Sequence, residues 1–117
     1  MRVYIAGALS SKENTERNPS KIVCDYITNL SKMCQIASEV LKRGHSLYVP
    51  GLDFMLGVIA GDWTEKDYRG IGMSFLEVCD CVLIISDSWG VRKEVERAHD
   101  LGIRVYYRLE DLNGRIH

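Results

Sequence analysis

The 117-residue chain lacks a surplus of either charge, with 15 lysines and arginines against 16 aspartates and glutamates and a formal net charge of -1 at pH 7. Without a basic excess there is no electrostatic footprint for a nucleic acid polymer, and no block of like charges marks a solvated tail. Long apolar runs are missing as well. The longest, such as CVLII at 81–85, fall far short of the roughly 20 residues a membrane-spanning helix needs. The opening MRVYIAGALS reads straight into a strand pattern without the layout of a signal peptide. These absences predict a cytoplasmic protein that partners neither a membrane nor a nucleic acid.

Metal ligands at useful spacing are also lacking. His45, His99 and His117 are scattered, and Cys79 and Cys81 enclose Asp80 in a C-x-C too short for the usual zinc pattern. Cys24 and Cys34 fall within one helical pattern. The four cysteines therefore read as buried free thiols, and no metal or other cofactor is expected.

What is present is an ordinary globular composition, 46% hydrophobic and 26% charged, in a length that suits one domain over residues 1–117. RVYIAG reads as a buried strand ended by glycine, and ALSSKENTERNPS as a polar loop. Asn18 and Pro19 look like an N-cap followed by proline in the first helical turn. From there, Val23, Tyr26, Ile27, Leu30, Met33, Ala37 and Val40 recur at helical spacing until Gly44 stops them. SLYVP is a second strand. The stretch from Gly51 to Trp63 reads poorly, too apolar for a loop and too rich in glycine for a secure helix. Thr64 and Asp67 form a capping-box pattern that opens a helix interrupted at Gly70 and Gly72 and running to about Cys79. CVLIISD, a helix over 91–101, and RVYYR complete the chain.

Strands alternating with helices, one of them continuously apolar, predict an α/β domain: a doubly wound, flavodoxin- or Rossmann-like parallel sheet of four to five strands. Such sheets bind ligands beyond the carboxyl ends of their strands, where the strand order reverses. With the second strand on one side of the first and the third on the other, AGALSS and SDSWG face each other across that crevice.

The helix after SDSWG carries one misplaced charge. Projected at about 100° per residue, Val91, Val95, Ala98 and Leu101 form an apolar arc, and Glu94 falls within it while Arg92, Lys93, Glu96, Arg97 and Asp100 face away. A carboxylate there either caps or pairs within the fold, held ionised by the free N–H groups of a first helical turn, or stands partly desolvated in the crevice as a nucleophile or base. Ser88 and Gly90 suit an anion at a helix N-terminus.

The run VYIAG near the start, FLEVCDCVLIIS in the middle and SWGVRKEVERAHDLGIRVYY near the end together resemble the nucleoside 2-deoxyribosyltransferase superfamily, which includes 2'-deoxynucleoside 5'-phosphate N-hydrolases. The likeness is nearest to small members from phages and bacteria. It implies that Glu94 is the nucleophile that forms a glycosyl-enzyme intermediate, with Tyr4 beside it. It further implies that Ala6, Gly7 and Ala8 together with Asp87, Ser88, Trp89 and Gly90 surround the substrate, and that Ser88 marks a 5'-phosphate. The family's second acid corresponds to a slot near Gly72; Asp67 and Asp62 are the nearest acids here, and Asp67 is the catalytic candidate.

Lys12 and Arg17 are candidate phosphate contacts, and Trp63 and Trp89 candidate stacking partners for a base. The expected activity is an N-glycosidase or deoxyribosyltransferase acting on a (deoxy)nucleoside 5'-monophosphate; the alternative is a protein on the same scaffold that binds a nucleotide without cleaving it. Residues 52–59 are too hydrophobic for open solvent, so they cover the pocket or a subunit interface, and a homodimer or higher homo-oligomer is expected.

Overall fold

The structure, a computed structural model, describes residues 1–9 and 18–112 and leaves the Trp89 side chain undescribed. Its elements are β1 (Arg2–Ala6), α1 (Pro19–Lys42), β2 (Ser46–Tyr48), α2 (Gly51–Ala60), α3 (Glu65–Leu76), β3 (Cys81–Ile84), α4 (Trp89–Asp100) and β4 (Arg104–Tyr106), followed by a 3-10 turn at Leu109–Leu112. The four strands are all parallel in the order β2-β1-β3-β4. This is the expected α/β architecture, compatible with a single-domain Rossmann- or flavodoxin-like fold. The order reverses at β1, whose neighbours are β2 and β3.

Two buried clusters lie on the two faces of the sheet because side chains alternate along each strand. Val3 and Ile5 of β1 join Met33, Ala37 and Val40 of α1, whereas Tyr4 and Ala6 join Leu76 of α3 and Val91 and Ala98 of α4. Each helix boundary has a local cause. The Asn18 side chain accepts hydrogen bonds from the Ser20 and Lys21 N–H groups at the start of α1, and Thr64 and Asp67 form the reciprocal capping box of α3. Gly44 and Gly102 take φ of 87° and 71° just past α1 and α4, a left-handed geometry that glycine adopts without a Cβ clash.

Four expectations need correction. The stretch after Pro50 is a regular ten-residue helix, α2, because its glycines are placed usefully: Gly57 packs where the Tyr68 ring leaves no room for a side chain. Helix α3 runs through Gly70 and Gly72 without interruption but ends at Leu76, held by its capping box and by packing on the sheet. Helix α4 begins at Trp89, two residues earlier than its apolar arc suggested, because Ser88 Oγ accepts the Val91 N–H and fixes the first turn there. Of the four cysteines, which are all free, only Cys79 and Cys81 are buried; Cys24 and Cys34 are exposed on α1. Among the described residues, no helix is long and apolar enough to cross a membrane, and no group of acidic, histidine and cysteine side chains has the layout of a metal site.

Candidate functional site

The sheet order places the end of β1 between those of β2 and β3, and there a tyrosine and a glutamate meet. Tyr4, on β1 and 1% exposed, donates its phenol hydrogen to the Glu94 carboxylate on α4. Glu94 is the sixth residue of α4 and not in its first turn. The free N–H groups of the helix start therefore do not hold it; a side chain from the sheet does. Burial raises the Glu94 carboxyl above its ordinary range, and the Tyr4 hydrogen bond opposes that shift in part. The Tyr4 hydroxyl is raised well above its ordinary value by burial first and by the neighbouring Glu94 charge second. A partly desolvated carboxylate with one strong donor is a group from which a nucleophile or base is made.

A second pair of the same kind stands alongside. Tyr48 is the register partner of Tyr4 on β2, their ring centroids are 5.5 Å apart, and Tyr48 donates its hydroxyl to Asp53 in the first turn of α2. Phe75 stacks on Tyr48 at 4.5 Å with an interplanar angle of 12°. The Tyr48 hydroxyl is raised from its ordinary value by burial and by the bond to Asp53, with the Asp53 and Glu94 charges adding to the effect. Two tyrosine–carboxylate pairs on adjacent strands thus share one face of the sheet.

The first pair opens into a cavity of about 640 Å3, a size that fits a small-molecule ligand. Glu94 and Tyr4 line it together with Gly7 and Gly90 at the strand and helix ends and the aromatic rings of Phe54 and Tyr68, and its charged rim is Lys93 and Arg69, the latter ion-paired with Glu65. Gly72 lies directly over the pair, with an added Cβ 3.1 Å from Tyr4 Oη. Ser86 joins the two loops across the crevice by accepting the Ala8 N–H at 2.8 Å.

The sequence-predicted residues divide. Glu94, Tyr4, Gly7 and Gly90 come together at the cavity. Ala6 is fully buried in the sheet, so it offers no surface to a ligand. Asp87 belongs to a separate cleft beside Arg92, to which it is paired at 2.8 Å. The Ser88 hydroxyl is engaged in capping α4, and Ser88 is absent from the residues that line the cavity.

Asp67, the expected second acid, stands away from the Glu94 cavity and caps α3. It accepts the Thr64 N–H at 2.7 Å, it faces a different depression beside Asp62 and Trp63, and the Thr64 hydrogen bonds hold its carboxyl below its ordinary range. Trp63 packs against Tyr68 at 5.7 Å beside that depression, not in the cavity. Lys12 and Arg17 lie outside the described residues.

Sequence reasoning missed Ser86, Tyr48, Asp53, Phe54 and Tyr68. Ser86 was legible as a polar residue beyond β3 but indistinguishable from Ser88; Asp53 and Phe54 depended on recognising α2, and Tyr48 and Tyr68, on elements the sequence does show, meet them only through packing. Compared with protein-family models, with curated proteins and with solved structures, the chain finds no match.

Proposed function

We propose that this protein cleaves or transfers the N-glycosidic bond of a (deoxy)nucleoside 5'-monophosphate, with Glu94 as nucleophile. The observation that carries the reading is the Tyr4–Glu94 pair, a desolvated carboxylate at the strand-order reversal that opens into a nucleotide-sized cavity. In the first step an oxygen of Glu94 bonds to C1' as the C1'–N bond breaks, and the bonding pair leaves with the base, which takes a proton from water. The positive character that develops on the sugar is stabilised by the carboxylate beneath it. Water or a second base then attacks C1' and frees the carboxylate, giving hydrolysis or transfer. Tyr4 orients the carboxylate and limits its basicity, the aromatic rings of Phe54 and Tyr68 suit a base, and Lys93 with the start of α4 near Gly90 suits a phosphate. The protein works in this reading as a homo-oligomer.

A second reading, nucleotide binding without cleavage, is favoured by one specific feature: the position facing the Tyr4 hydroxyl is Gly72, which has no acid to assist the leaving base.

Incubation with a panel of deoxynucleoside monophosphates, followed by chromatography for free base, separates the two. Base release that disappears in Glu94→Gln supports cleavage. Calorimetric binding with no base released supports the second reading, and neither binding nor release refutes both.

A further inference from the structure

The second tyrosine–carboxylate pair, Tyr48 with Asp53, takes no part in the cleavage steps, yet it is tied to the site at both ends. Tyr48 stands beside Tyr4 in register on β2, the edge strand of the sheet. Its ring packs on Tyr4 at 5.5 Å and stacks on Phe75 at 4.5 Å, and its hydroxyl donates to Asp53. Asp53 is the third residue of α2 and lies between Gly51 and Phe54, which both line the Glu94 cavity. Tyr4 itself is confined from three directions. Gly72 lies close to its hydroxyl, where an added Cβ would stand 3.1 Å away, Tyr48 packs against its ring from β2, and Glu94 accepts its hydrogen.

We propose that Asp53 is a positioning residue for Glu94: by holding the Tyr48 hydroxyl it fixes the ring that packs against Tyr4, and so keeps the Tyr4 hydrogen on the Glu94 carboxylate. The proposal deepens the reading of Glu94 as nucleophile, on which its effect on rate rests. The contacts run in one line from α2 through two strands to α4. A first-turn acid serves the dipole of its helix while pointing into water. Asp53 is instead half-buried and directed onto a phenol of the sheet.

The two pairs also feel each other's charge. After burial, which acts most strongly on both hydroxyls, the Asp53 charge helps to raise Tyr4 and the Glu94 charge helps to raise Tyr48. Two anions on one face keep both phenols protonated, so each tyrosine remains a donor. Asp53 thereby joins the helix that bears Phe54 to the tyrosine that directs Glu94, and one linkage sets both the aromatic face offered to a ligand and the attacking oxygen.

Titration of the Glu94 carboxyl carbon by 13C NMR, with the signal assigned by its loss in Glu94→Gln, tests the linkage without any turnover. Asp53→Ala and Asp53→Asn both remove the charge, but only asparagine keeps an oxygen for the Tyr48 hydroxyl. The other titratable and charged groups around Glu94 are the same in both variants: Tyr4 and Tyr48 from the sheet, Glu65, Tyr68 and Arg69 from α3, and Lys93 on α4. Loss of the oxygen loosens Tyr4, whose bond is the interaction that lowers Glu94, so Glu94 in Asp53→Ala should titrate at least about 0.5 pH above Glu94 in Asp53→Asn. That difference should vanish in a Tyr4→Phe background, because the effect passes through Tyr4. Simple detachment of α2 would hydrate Glu94 and move it the other way.

Equal titration in the alanine and asparagine variants, a difference of opposite sign, or one that persists without Tyr4 overturns the proposal. Should Asp53→Ala unfold, Tyr48→Phe decides, since it keeps the ring and loses the bond: Glu94 is expected to titrate above the wild type, and no rise overturns the linkage. In the active protein, Asp53→Ala should lower kcat about tenfold at neutral pH with the acidic limb moved up, and Asp53→Asn should restore both. Absence of base release from every variant and from the wild type refutes the nucleophile reading, and the titration still decides the linkage.

Discussion

Two carboxylates on neighbouring helices, Asp67 in the first turn of α3 and Glu94 midway along α4, have opposite electrostatic fates. Asp67 is exposed and accepts hydrogen bonds from Thr64, which favour its charged form and hold its carboxyl low. Glu94 lies between α4 and the sheet, where lost hydration outweighs its one hydrogen bond from Tyr4 and lifts its carboxyl high. The first arrangement stabilises the fold, while the second carries a desolvation cost. What sets the two apart is whether the donors are local backbone or a side chain from a distant strand.

The largest expected difference between them is in turnover. If the cavity cleaves nucleotides, Glu94→Gln lowers the rate by about a thousandfold or more, because it removes the attacking charge while keeping shape. Asp67→Asn stays within a few-fold of the wild type, as does Glu96→Gln on the outer face of α4. Steady-state assays of the three variants check the order, and equal losses at Glu94 and Asp67 would break the comparison.

A smaller effect is expected on pH dependence. The nucleophile must be ionised, so the rate falls as the pH drops through the raised Glu94 value. Tyr4→Phe deletes the one interaction that lowers that value, so the acidic limb of the pH–rate profile should move to higher pH, with a loss of about ten- to a hundredfold at neutral pH. An unmoved limb would remove Tyr4 from its part.

The smallest effects are on stability, and their signs differ. A folded-state value above the ordinary one means that Glu94 favours folding at low pH and opposes it as the pH rises through the raised value. Glu94→Gln should therefore melt a few degrees above the wild type at pH 7, with the gain disappearing below the ordinary carboxyl range. Asp67, with its value depressed, favours folding above the ordinary range and loses that contribution as the pH falls through the depressed one. Asp67→Asn should melt slightly lower at pH 7, and the difference should close in acid. Thermal scans at pH 7 and in acid compare the pair directly, and a Glu94→Gln variant that melts lower at pH 7 would make Glu94 a structural group.

The local signals decided a large part of this protein. Asn18–Pro19, Thr64 with Asp67, and the glycines at 44 and 102 each fix a helix end through interactions a few residues long, and the unbroken apolar run of β3 marks a strand covered on both sides. Periodicity also singled out Glu94, because it reports which way a side chain points from its own helix. It could not report what the side chain meets. That Tyr4 from ninety residues away donates to it, that Tyr48 and Asp53 repeat the arrangement on the next strand, and that Gly72 packs close over the Tyr4 hydroxyl all follow from strand order and packing. Helix α2 stayed illegible for the same reason. Its glycines argue against a helix until Gly57 meets Tyr68, and its outward leucines and isoleucine follow the pattern of a buried face yet are exposed among the described residues. Hydrogen bonds between neighbours in sequence are written in the sequence, but desolvation and pairing across the sheet belong to the assembled fold, since they depend on which distant groups the packing brings within reach.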